Sequence, residues 1–214
     1  ILNIKLRNGI QKFQLTDHIN KKNYKFSTNL SGRHNLYNVA AAVCVAIEEN
    51  ISIKNIAKGL HDFQGVGRRF ELSKINLADQ PHVLIDDYGH HPAEILSTIL
   101  ATKEKFPRKK ICMIFEPHRF SRTQQLFDDF VKVLSKVDFL LLLDIYPASE
   151  KPIKGISSQK LAFEIMKNHK NVHYLESQDP IDWLQNNHRD FSILITQGAG
   201  TISKLNNQIK IKWQ

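Results

Sequence analysis

Four stretches of this chain leave little choice of architecture, because they are apolar along most of their length and carry no polar face. They are residues 83–85 (Val83-Leu84-Ile85), 111–115, 139–145 and 191–196. A half-buried strand alternates apolar and polar side chains; a strand without that alternation must be covered on both sides. The segments between them, 92–106, 121–137, 157–168 and 180–187, have helical spacing, and 172–175 reads as one more short strand. Strands alternating with helices predict a mainly parallel sheet with helices on both faces. Residues 67–214 are therefore predicted to form a Rossmann-like α/β domain.

The first 66 residues follow a different rhythm. Phe13 and Leu15, then Tyr24 and Phe26, alternate with polar neighbours as strands and hairpins do. An Ala-, Val- and Ile-rich helix is predicted over 35–50, and Ser52 is placed to cap a second helix ending near Phe63. Gly65-Val66-Gly67 marks the expected junction between a domain of 1–66 and one of 67–214. Two helices and a few short strands bury only a modest core. This segment is therefore expected to complete a sheet whose other strands lie outside the chain.

The longest apolar run, residues 39–47, is nine residues long against the about 20 that a membrane helix needs. No signal-peptide pattern opens the chain, and Cys44 and Cys112 both sit in apolar runs. This is the pattern of buried thiols in a reducing cytoplasm. Thirty basic against 21 acidic residues give a net charge of +9, which suits phosphate-bearing partners. The basic residues are scattered, and no nucleic-acid partner and no membrane insertion are expected.

In an open parallel sheet, ligands bind where strands end at their carboxyl tips. Three polar clusters fall there: Asp86-Asp87-Tyr88-Gly89-His90-His91-Pro92, the run Glu116 to Thr123, and Thr196-Gln197-Gly198-Ala199-Gly200-Thr201. Histidines and carboxylates can hold a metal, but adjacent histidines on a turn point apart, so hydrogen bonding to a small polar ligand is the preferred reading and no metal is assigned. Arg119 and Arg122 are three residues apart at a helix start, so both can face one anion, and each guanidinium can fork onto a carboxylate or phosphate. Gly198 and Gly200 allow close backbone approach to a ligand.

These clusters, in this order, resemble the Mur ligases. Gly32-Arg33-His34-Asn35-Leu36-Tyr37-Asn38-Val39-Ala40-Ala41-Ala42 is similar to their Gly-x-His-Asn-x-x-Asn-x-x-Ala-Ala signature, and Gly65 to Glu71 resembles their domain junction. Leu143-Asp144-Ile145-Tyr146, Glu150-Lys151-Pro152-Ile153 and Gly198-Ala199-Gly200 continue the likeness. Tyr88-Gly89, within the Asp-Asp…His-His run, resembles the member that joins L-alanine to UDP-N-acetylmuramate more than the member that recycles murein tripeptide.

The resemblance implies an ATP-dependent amide-bond ligase of peptidoglycan synthesis that forms an acyl phosphate. It implies that residues 1–66 are the tail of a central ATP-binding domain, and that 67–214 bring the amino acid. No Gly-x-x-Gly-Lys-Thr phosphate loop occurs in these 214 residues. That loop and the Mg²⁺ ligands are expected in an N-terminal part of the same enzyme, without which the fragment is expected to be inactive. Residue by residue, the resemblance assigns Asn35, Asn38, Arg69 and Asp87 to the nucleotide, with Arg68 and Asp86 as neighbouring candidates. It assigns Tyr88, His90, Arg119 and Arg122 to the amino acid and the reacting end of the sugar nucleotide, with Arg122 on the alanine carboxylate. A non-catalytic nucleotide-binding module and a metal-dependent phosphoesterase stay open as alternatives.

Overall fold

A computed structural model describes residues 1–7, 10–176 and 178–214. The chain divides into two compact units. One is Ile1–Val66 with Leu100–Lys105, the other Gly67–Ile99 with Phe106–Gln214.

In the first unit, β1 (Leu2–Arg7), β2 (Ile10–Asp17) and β3 (Lys22–Thr28) form an antiparallel sheet in that order. Alternation turns Phe13, Leu15 and Phe26 to one side, where they pack with Leu36, Val39 and Val43 of α1 (Arg33–Glu48) and Ile56 of α2 (Ile53–Asp62). Ser52 caps α2 by accepting from the Asn55 amide at 3.3 Å. Helix α1 buries Asn35, Leu36, Val39 and Val43, so the adjacent Cys44 points outward. The expectation of two buried thiols therefore fails at Cys44 and holds at Cys112, whose thiol is pushed far up by burial. Tyr37 and Val45 are exposed beside Cys44, an apolar strip on the outer side of α1.

The second unit is a six-stranded sheet in the order β4-β5-β9-β6-β7-β8. Its strands are β4 (Glu71–Leu77), β5 (Gln80–Asp87), β6 (Ile111–Phe115), β7 (Phe139–Leu142), β8 (Val172–Tyr174) and β9 (Ile193–Gln197). All pairings are parallel except β4–β5. Every residue of β6 and β9 is buried, as their unbroken apolar runs require. Helices α3 (Pro92–Lys105, of which residues 92–99 belong here), α4 (Phe120–Gln125), α5 (Phe127–Leu134), α6 (Ser158–Met166), α7 (Pro180–Asn187) and α8 (Ile202–Trp213) complete the unit. Leu84, Cys112, Ile114, Leu141 and Leu194 form one cluster with Ile181 and Leu184 of α7 and Ile202, Ile209 and Trp213 of α8. Phe115 meets Phe130 of α5 at 5.7 Å between ring centroids.

Three features differ from the sequence reading. The hairpin partner β4 adds an antiparallel edge, through a two-residue turn at Ala78-Asp79 where both residues have positive φ. Helix α8 closes the chain. The stretch 121–137 is two helices, broken at Leu126, whose φ/ψ of −114°/24° are not helical. Among the described residues, no helix is long and apolar enough to cross a membrane.

Candidate functional site

Strand β9 returns to the middle of the sheet, so the loops after β5, β9 and β6 end side by side. After β5, Tyr88 presents a ring flanked by two cations, with the guanidinium carbons of Arg68 and Arg69 at 5.2 and 5.4 Å from its centroid. The two arginines differ in freedom. Arg68 reaches inward, donating to Asp86 at 3.3 Å and to the Gly198 carbonyl at 2.7 Å. Arg69 is exposed. Burial raises the pKa of Asp86, against the opposing pull of Arg68.

Asp87 faces the protein. One carboxylate oxygen accepts from the Phe70 amide at 2.9 Å, and the other from the Gly89 amide at 2.8 Å and Gln197 Nε2 at 2.7 Å. The resemblance assigns this side chain to the nucleotide; its buried carboxylate meets three internal donors. Gln197, fully buried at the end of β9, also donates to the Gly89 carbonyl at 3.0 Å.

The histidines take complementary forms. His90 Nδ1 lies 3.2 Å from the Tyr88 carbonyl, an acceptor, so in neutral His90 the proton sits on Nδ1 and Nε2 offers a lone pair. His118 Nδ1 lies 3.2 Å from an Arg122 nitrogen, a donor, so in neutral His118 the proton sits on Nε2. The rings stand 5.5 Å apart, and His118 stacks on Tyr146 at 5.4 Å. Arg122 donates to the His118 carbonyl at 2.9 Å through the same nitrogen.

The loop after β7 builds the far wall. Tyr146 pairs back onto the loop after β6, accepting from the Arg119 amide and donating to the Pro117 carbonyl, both at 2.8 Å. This pairing ends the apolar run of 139–145 as a strand at Leu142 and carries Glu150 to the start of α4. There Glu150 accepts from the Ser121 amide at 2.9 Å and its hydroxyl at 2.6 Å, and stands 3.7 Å from Arg119. Those hydrogen bonds lower its pKa. Arg119 has φ +78°, a left-handed conformation that costs a non-glycine residue on the order of 1–3 kcal/mol. Its amide bond to Tyr146 and the Thr123 hydroxyl on its carbonyl hold it there.

The two glycines also make close internal approaches. A Cβ on Gly200 would come within 2.5 Å of Glu116 Oε2 and of the Tyr146 ring, and one on Gly198 within 2.8 Å of the Glu116 carbonyl. The close approach is internal: Glu116, buried, accepts from the Ile202 amide at 3.0 Å and caps α8.

Tyr88, His90, Arg119 and Arg122 thus gather at the tips of β5 and β6, with His118 at the centre. Asn35 and Asn38 belong to the first unit, where Asn35 Nδ2 donates to the Ser31 carbonyl at 2.7 Å and Asn38 is exposed. His118, Tyr146, Glu150, Gln197 and Glu94 join the site's framework without having been assigned a ligand role. Glu94 holds the His90 and His91 amides at 2.9 and 3.0 Å. The available signal was position, since each ends a strand or begins a helix beside a cluster already singled out. Among the described residues, no three or more His, Cys, Asp or Glu side chains converge as metal ligands.

Burial, His90, Arg122 and Arg119 together lower the pKa of His118 below its ordinary 6.5. The folded chain then binds fewer protons than the unfolded chain between the two values, so the stability His118 leaves intact at higher pH is lost as pH falls through that window. NMR titration of the imidazoles is expected to place His118 below 6.5, and Arg122→Ala to raise it. A midpoint above 6.5 would remove this account of the histidine's surroundings.

Residues 68–200 match the family described as Mur ligase, glutamate ligase domain. The chain is 45% identical over 202 residues to the UDP-N-acetylmuramate–L-alanine ligase of Blochmanniella floridana, covering 90% of this chain and 42% of that protein. It is 42% identical over 183 residues to the enzyme of the same name from Psychrobacter arcticus, covering 85% and 38%. The chain therefore spans about two fifths of the length of these relatives. Its fold is similar to the UDP-N-acetylmuramate–alanine ligase of Thermotoga maritima, with a TM-score of 0.73 at 21% identity over 98% of this chain and 45% of that one. A murein peptide ligase from Psychrobacter arcticus shares the fold with a TM-score of 0.62 at 18% identity, over 97% and 43%.

Proposed function

The chain belongs to the Mur ligase family, and we propose that it forms the amino-acid-receiving part of an ATP-dependent ligase joining L-alanine to UDP-N-acetylmuramate in the cytoplasm. One observation carries the reading: His118 has an Arg122 guanidinium nitrogen 3.2 Å from its Nδ1 and the His90 ring 5.5 Å from its own. Arg122 has one nitrogen tied to His118, which fixes the direction of its remaining N–H groups. A carboxylate taken by that fork brings the amine of the same small molecule toward His90 Nε2. An α-amino acid carries both groups.

In this reading ATP, with Mg²⁺, activates the lactyl carboxylate of the sugar nucleotide as an acyl phosphate. The groups that hold the phosphates and the metal belong to the part of the enzyme outside these 214 residues. Within the chain, the exposed Arg69 offers a guanidinium to the nucleotide and the exposed Asn38 an amide, with Asn35, whose Nδ2 is held by the Ser31 carbonyl, one helical turn away. His90 Nε2 takes a proton from the alanine ammonium, freeing the amine for attack on the acyl carbon as phosphate leaves. Arg119, steadied by Glu150, faces the anionic end of the sugar nucleotide.

The test uses the complete ligase containing these residues, assayed for phosphate release from ATP with UDP-N-acetylmuramate present. Release is expected to depend on L-alanine and to yield the alanyl product by mass spectrometry. Murein tripeptide replacing alanine as the preferred substrate would overturn the choice of amino acid. The 214-residue chain alone is expected to release no phosphate.

A further inference from the structure

The three strands of the first unit carry a charge pattern that the ligase reading does not use. Residues 1–28 contain one acid, Asp17, and it is spent on its own turn, accepting from the Ile19 and Asn20 amides and the Asn20 side chain. The register then concentrates the cations. Lys5 pairs directly with Lys12, Lys12 with Ser27, and Gln14 with Lys25, so all three lysines lie on the face opposite Phe13 and Phe26. Like charges directly opposite on one face oppose sheet formation. None of the three forms an ion pair among the described residues.

Lys5, Lys12 and Lys25 line a cavity of about 610 Å³ together with Asn3, Gln14 and Ser27, and Phe13, Phe26 and Ala57 complete its lining. Asn3 Nδ2 donates to Gln14 Oε1 at 3.1 Å, which leaves the Gln14 amide N–H groups to donate. The volume is that of a small-ligand site rather than a track for a polymer. Directly opposed and diagonal lysines place their Cβ atoms about 5 and about 7 Å apart, a spread better matched by linked phosphates than by one. We propose that this cavity binds a small anion carrying two or more phosphate groups, either a free condensed phosphate or the phosphate tail of a nucleotide.

Calorimetric titration of the 214-residue chain with tripolyphosphate, at fixed ionic strength, tests this. One site per chain is expected, bound about tenfold or more tighter than sulfate, with affinity falling about tenfold or more in Lys5→Gln/Lys12→Gln/Lys25→Gln. The same triple variant is expected to melt at the same or a higher temperature in low salt, because a repulsion has been removed; this shows that lost binding is not lost folding. ATP displacing tripolyphosphate identifies a nucleotide tail as the ligand, and failure to displace it identifies free condensed phosphate. Tripolyphosphate binding no tighter than sulfate, or unchanged in the triple variant, overturns the proposal.

Discussion

Replacing Arg122 by alanine in the complete ligase is expected to raise the KM for L-alanine far more than it lowers kcat. The guanidinium has one nitrogen fixed by the ring and carbonyl of His118. The arginine is thus held before substrate arrives, and little side-chain entropy is lost on binding. Removing a preorganised, charge-assisted partner of a carboxylate costs about 2–4 kcal/mol, or roughly 30- to 900-fold in KM. Arg122→Lys keeps the charge but not the fork, and should recover only part of the loss. Steady-state kinetics at subsaturating alanine decide the matter. An unchanged KM for alanine would move the carboxylate to Arg119 or out of this loop altogether. His90→Ala should show the opposite split, because a proton acceptor acts in the chemical step more than in binding.

The sheet was legible because its central strands have no wet face: β5, β6 and β9 could only be buried, and the polar runs after them could only lie at their tips. Other parts obeyed rules with weaker signatures. Strand β4 has the alternation of an edge strand, but its turn uses Ala78-Asp79 where Asn-Gly would have announced a hairpin. Helix α8 buries Ile202, Leu205, Ile209 and Trp213 on one stripe, diluted by Lys and Asn to a mean polarity that reads as a tail. Within the site, Arg119 and Arg122 could be placed on one turn of helix by spacing alone. What spacing could not show is the direction of a side chain at a strand tip, where Asp86 and Asp87 face different partners. Nor could it show that Glu150, 28 positions beyond Arg122, returns to anchor Ser121. Such returns depend on where a loop closes, which tertiary packing sets.

Asp87 is where resemblance and geometry can be separated by experiment. Its carboxylate ties the Phe70 amide, just beyond the junction between units, to the Gly89 amide and to Gln197 at the end of β9. All of these atoms are buried, so Asp87→Ala leaves two backbone donors and one side-chain donor without partners. An unpaired buried donor costs about 1–3 kcal/mol, and partial relaxation lets water reach some of them, which points to a total of about 3–5 kcal/mol. For a chain of this size that is a fall of roughly 6–20 °C in Tm. Asp87→Asn should cost less, because its one remaining oxygen still accepts from the Gly89 amide and Gln197 Nε2, which leaves only the Phe70 amide without its acceptor. Nucleotide affinity should change little in whatever fraction folds, because the carboxylate is buried and already accepts three internal hydrogen bonds. Thermal melts paired with the KM for ATP in the complete ligase separate the two roles: a normal Tm with a raised KM would return Asp87 to the nucleotide, while a lowered Tm with an unchanged KM makes it the clasp between two strand tips.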